Sequence, residues 1–120
     1  MERTYEVEIR EDRLVKVDRE SLEVIATHQP LGTKVVQCLP VDGHFVVRED
    51  YFQFPLGRSN VYCLDGRFEI LWKAEIPGSS DAYSGPVSVT DAGLVCGSWE
   101  GYSCTIDPTT GRIRSKMFTK

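Results

Sequence analysis

The sequence has almost no helical periodicity, no Cys-x-x-Cys pair, no long apolar run and no excess of basic charge, and each absence removes a class of protein. Its four cysteines, Cys38, Cys63, Cys96 and Cys104, are spaced too irregularly for a zinc ribbon or a thioredoxin-like site, so no metal is expected. Cys96 and Cys104 flank a hairpin turn and read as reduced thiols in a core. No stretch approaches the roughly 18 apolar residues of a membrane span. The first residues, Met1 to Glu8, alternate charge without the apolar centre of a leader, so the chain reads as cytoplasmic with no membrane partner. Fourteen basic against eighteen acidic residues give a net charge of −4, the wrong sign for holding a phosphate backbone, so no nucleic-acid partner is expected. Histidine is scarce: His28 and His44 have no cysteine or serine nucleophile beside them. Gly97-Ser98-Trp99-Glu100-Gly101 has Cys96 where a nucleophile elbow requires glycine, and reads as a hairpin turn. No catalytic residue set assembles, and the chain reads as no enzyme.

What is present suits one globular domain. The 120 residues, 41% apolar and 27% charged, can bury roughly two-thirds of their surface. Short alternating runs such as Tyr5-Glu6-Val7-Glu8-Ile9 recur between turn residues, which predicts an all-β chain. A strand ending in aspartate, a turn and a second strand occur three times, at Leu14 to Asp18, Val61 to Asp65 and Ser103 to Asp107. Asp18, Asp65 and Asp107 stand 47 and 42 residues apart, inside the period of about 40–50 residues of propeller blades. Upstream, Gly43 and Gly93 each separate two further strands. Each full unit is therefore a four-stranded antiparallel up-and-down meander, and the units span roughly 1–30, 31–78 and 79–120.

Ser84-Gly85-Pro86-Val87, Gly93 to Gly101 and Ile106-Asp107-Pro108-Thr109-Thr110-Gly111-Arg112 together resemble one blade of the quinoprotein-like, or pyrroloquinoline-quinone-type, β-propeller repeat. Val61 to Trp72 is similar to the second half of that blade. The resemblance implies that Trp72 is the packing tryptophan, with Val24 or Ile25 at its place in the degenerate first unit. Cofactor-bearing members use adjacent cysteines, a calcium site and a central stacking tryptophan. This chain has no adjacent cysteines, so the resemblance implies a scaffold with no quinone and no other cofactor. The units hold about three, four and four strands, an incomplete ring, whereas a closed propeller needs at least about four blades. Such an arc is expected to present two terminal faces whose apolar residues lack neighbours. Two copies head to tail would close a homodimeric ring of about six blades; another protein would serve as well.

The three aspartates are expected to accept hydrogen bonds from their own turns, and Glu11-Asp12 and Glu49-Asp50 to be solvated turn charges. The middle unit breaks the pattern. Gly43 to Asp65 spans eight residues more than Gly93 to Asp107, and the insertion holds Tyr51, Phe52, Phe54, Leu56 and Arg58. Insertions in repeat proteins often lie on the binding face, and aromatics with arginine are common contact residues. These five are the expected binding residues of a non-enzymatic scaffold that acts through self-assembly or protein contact. Two other readings use the same features: a small acidic inhibitor of another protein, of the immunity type, and a binder of carbohydrate or another small ligand.

Overall fold

The computed structural model describes residues 4–119. Among them are eleven strands in three antiparallel sheets and no helix. The first sheet holds β1 (Tyr5–Arg10), β2 (Arg13–Asp18) and β3 (Val24–His28). The second holds β4 (Val35–Val41), β5 (His44–Glu49), β6 (Val61–Leu64) and β7 (Ile70–Lys73). The third holds β8 (Ser88–Thr90), β9 (Gly93–Gly97), β10 (Tyr102–Ile106) and β11 (Ile113–Phe118). Within each sheet the strands pair in chain order, so the chain is an up-and-down meander of three propeller-type blades, an incomplete ring. Among the described residues the first blade has no counterpart of β4 and β8.

Local chemistry sets the hairpins. Glu11 and Asp12 both have positive φ between the paired Arg10 and Arg13, as do Asp42 and Gly43 between Val41 and His44. Positive φ at both central residues matches the twist of the flanking strands. Each of the three aspartates caps its own turn. Asp18 Oδ1 accepts the N–H groups of Glu20 and Ser21, Asp65 Oδ1 those of Arg67 and Glu69, and Asp107 Oδ1 the N–H and hydroxyl of Thr109. These bonds hold all three carboxyls below the usual carboxylate range.

Two apolar layers separate the blades. Leu14, Val35, Val47, Tyr62 and Leu64 pack between the first and second. Val46, Val61, Cys63, Trp72, Tyr83, Leu94, Cys96, Cys104 and Ile106 pack between the second and third. Cys96 and Cys104 face each other across β9 and β10, unbridged, and burial pushes the Cys96 thiol up to about 12. Trp72 joins the second blade to the third. Its ring lies under Gly111, where a Cβ would fall 2.6 Å from Cε3, and its Nε1 donates to Pro108 O at 3.1 Å. Gly111 also has φ +77°, so glycine answers both a close approach and a left-handed backbone.

The first blade departs from the expected register. Cys63 pairs with Trp72, and Lys16, likewise two residues before its turn aspartate, pairs with Ala26. Ala26, rather than Val24 or Ile25, thus stands at the tryptophan position. The turn after Asp18 is one residue longer: Leu22 N reaches back four residues to Asp18 O, whereas Phe68 N reaches back three to Asp65 O. Lys16 fills the gap. Its Nζ donates to Gly66 O, the carbonyl that follows Asp65 as Pro108 O follows Asp107, and lies over the rings of Tyr5 and Phe68.

The terminal faces are a mixture of polar and apolar groups. Phe45 and Val47 stand opposite Leu64 and Tyr62, and the same positions of the first blade are Glu6 and Glu8, opposite Val17 and Val15. Glu6 pairs with Arg19 at 2.7 Å and Glu8 with Arg10 at 2.6 Å. At the other end Thr105 and Ser115 occupy the places of Cys63 and Trp72. Charges and hydroxyls therefore replace part of the apolar set at each end, while Val15, Val17 and Val24 stay on the first outer face and Val95 and Met117 on the last, with Val24 47% and Met117 70% exposed.

Candidate functional site

The insertion between β5 and β6 folds on its own hydrogen bonds. Asp50 Oδ1 accepts the N–H of Phe52 at 3.0 Å, Tyr51 O accepts that of Phe54 at 3.1 Å, and Pro55 O that of Arg58 at 3.3 Å. Gln53 and Gly57 turn the chain at positive φ. Phe54 points inward, 9% exposed, and leaves no room for a Cβ at Gly32, which would lie 2.7 Å from its Cε2. At the end of the loop, Asn60 Nδ2 donates to Glu49 O and Tyr83 O, and its Oδ1 accepts the N–H of Tyr83. That side chain ties the second blade to the segment entering the third.

A cleft of about 470 Å³ opens between this insertion and the β9–β10 turn. Tyr51, Phe52, Phe54, Leu56 and Arg58 all line it, together with Ser80, Asp81 and Trp99. Tyr51 stacks on Trp99 with ring centroids 5.4 Å apart and planes 26° apart. Phe52, Leu56 and Trp99 are 67%, 83% and 59% exposed, so the mouth is wide and apolar. Asp81 is its most buried polar side chain, 4% exposed. Its Oδ1 accepts the N–H groups of Ala82 and Glu100 at 2.8 and 3.0 Å, while its Oδ2 has no partner.

Sequence reasoning missed Trp99 and Asp81. Trp99 sat in a segment read only as a turn, which it is: Gly101 N donates to Ser98 O, and Ser98 N to Tyr102 O. An indole at the tip of so tight a hairpin was the available signal.

A second polar cluster lies inside the molecule and corrects the reading of Glu49 as a solvated charge. Glu49 is fully buried and accepts the N–H groups of Leu31, Gly32 and Thr33 at 2.7, 3.0 and 3.0 Å. The Tyr62 hydroxyl also donates to it and lies 2.6 Å from His28 Nε2. Burial alone would raise the Glu49 carboxyl, but the hydroxyl and the three N–H donors outweigh it and the net direction is down. Burial lowers His28, partly opposed by the Glu49 charge. The cluster is closed to solvent and locks the first blade onto the second. His44 stands apart at the start of β5. No group of three or more metal-ligating side chains occurs among the described residues.

The family model described as "Domain of unknown function (DUF7957)" matches residues 13–118. No curated protein matches the sequence. Among solved structures the chain is similar to the computationally designed Ika8 protein, with TM-score 0.71, 15% identity, and coverage of 100% of this chain and 35% of that one. It is similar to the designed Ika4 protein with TM-score 0.73, 16% identity and coverage of 100% and 70%. It also resembles BamB from Moraxella catarrhalis, with TM-score 0.59, 12% identity and coverage of 96% and 35%. The chain thus spans about a third of the length of Ika8 and of BamB. At these identities the likeness is one of fold, and the fold is of propeller type.

Proposed function

The chain belongs to the DUF7957 family, and from the cleft that its blades build we propose that it is a non-enzymatic binding scaffold working through protein contact. The observation that carries this reading is the exposed trio Phe52, Leu56 and Trp99 around one cleft. Contiguous exposed apolar groups usually mark contacts, and aromatics contribute most to them. The resemblance to the quinoprotein-like repeat supports a scaffold role, since its three turn aspartates here accept hydrogen bonds from their own turns. No nucleophile, base and orienting group converge at the cleft, and burial drives the thiols of Cys63 and Cys96 away from reactivity.

Phe52→Ser combined with Leu56→Ser tests the reading. Capture from the source cell with the native chain and with the double variant is expected to differ in specific proteins while the melting temperature stays within a few degrees. An unchanged set of captured proteins, with unchanged solution mass, would overturn the role of the cleft.

Self-association is a second reading, favoured by the open arc. Two copies head to tail complete about six blades, with Glu6, Glu8, Arg10 and Arg19 of one end against Ser103, Thr105 and Ser115 of the other. Such a joint has no opposite charges facing each other across it and also brings together the exposed Val24 and Met117, so it should persist as salt is added. Light scattering should give twice 13.6 kDa at micromolar concentration, at low and at high salt. A mass of 13.6 kDa at every salt and concentration would remove the ring.

A further inference from the structure

The occupant of the cleft can be specified further, on the basis of the contact reading above: we infer that it is an arginine side chain presented by a partner protein, stacked on the Tyr51–Trp99 pair and hydrogen-bonded to Asp81. The first observation is the carboxylate. Asp81 lines a largely apolar cleft at 4% exposure, with both hydrogen bonds on Oδ1 and none on Oδ2. A buried carboxylate oxygen without a donor is costly, and Oδ2 is itself closed to solvent, so bulk water does not meet that need. A purely apolar occupant would leave it unmet, whereas a cationic N–H donor seated in the cleft is drawn to the Asp81 carboxylate and supplies the kind of bond it lacks.

The second observation is the balance of charge. Asp50, Asp81 and Glu100 stand at or beside the cleft, Asp50 capping the Phe52 N–H and Glu100 accepting the Ser80 hydroxyl at 3.3 Å. Arg58 is the one cation of the lining. It is exposed and screened by water, whereas Asp81 lies where screening is weak, so the negative end dominates inside the cleft. The net charge of −4 adds attraction for a basic partner at longer range.

The third observation is the stacked pair of rings, which favours arginine over lysine. A guanidinium is planar, lies flat on an aromatic face and still directs several N–H groups at a carboxylate in its plane. Lysine offers a compact, strongly hydrated charge that loses more on entering an apolar mouth.

Calorimetric titration of the full chain with N-acetyl-Gly-Arg-Gly-amide, and with its citrulline counterpart, tests the assignment. Citrulline keeps the shape and removes the charge. The arginine peptide is expected to bind at least about tenfold more tightly, an advantage lost in Asp81→Asn. Trp99→Leu keeps Asp81 intact and should weaken the arginine peptide by about tenfold at an unchanged melting temperature, which covers the case in which Asp81→Asn fails to fold. Equal binding of both peptides would overturn the cation while leaving the contact cleft in place. Binding of neither would overturn the arginine assignment, whereas failure of the contact reading is seen separately, in capture and solution mass with the Phe52 and Leu56 variant. Glucose or maltose binding in place of the peptides would show a sugar site and equally overturn it.

Discussion

Glu49 is a charged residue that water does not reach, and its net lowered carboxyl shows that its four donors more than compensate for desolvation. The pH dependence follows from direction alone. His28 in the folded chain holds its proton less readily than the ordinary imidazole value of 6.5, and Glu49 less readily than the ordinary 4.5. In both cases the unfolded state binds protons first as the pH falls. Stability is therefore full above about 6.5, declines below it as the unfolded imidazole takes up a proton, and declines again below about 4.5. Urea midpoints measured between pH 8 and 4 should show both declines, and His28→Phe should remove the upper one while keeping the lower. A profile flat from 8 to 5 in the native chain would contradict this account. Glu49→Gln replaces one acceptor oxygen by a donor facing backbone N–H groups, at a cost of about 1–3 kcal/mol. None of this was legible in the sequence, because an acid at a hairpin entry looks solvated and three of its four donors come from a connection 16 to 18 residues upstream, the fourth from Tyr62 on the next strand.

At the scale of elements, the eight-residue insertion divides its aromatics between two tasks. Phe54 is 9% exposed against Gly32, while Phe52 is 67% exposed at the cleft mouth. Phe54→Ser alone should therefore lower stability by roughly 1.5–3 kcal/mol, the value of one buried aromatic, and Phe52→Ser alone by a few tenths at most. Thermal melts of the two single variants check this, and equal losses would mean that the loop packs differently. The insertion was legible as a departure from the repeat, and the strands were legible because alternation and Asp turns recur. The first blade's tryptophan position was not, since one extra residue in the turn after Asp18 moves Ala26 into the place that counting assigns to Ile25. A turn length is a matter of backbone hydrogen bonding, and no side-chain pattern announces it.

For the whole molecule, the two inner interfaces and the two ends show contrasting chemistry laid over one repeated backbone. Counting blades correctly indicated an arc. The apolar ends that the arc implies are present only in part: Val24 and Met117 are exposed there, but position-specific changes, Glu6 for Phe45 and Ser115 for Trp72 among them, thin the apolar set in a way the averaged repeat hides. The inner interfaces differ too. Both use the carbonyl that follows a turn aspartate, but an indole wedged beneath Gly111 addresses one, and the flexible amine of Lys16 the other. An indole brings a large rigid apolar body to its hydrogen bond; a lysine brings a hydrated charge and four rotatable bonds that must be ordered. The arc should consequently come apart in sequence, with β1 to β3 opening as a unit before the pair of blades clamped by Trp72. Amide exchange would make that order visible. Val15 and Val17 should exchange at least about tenfold faster than Tyr62 and Cys63, and a single shared rate would mean that the three blades unfold as one cooperative body.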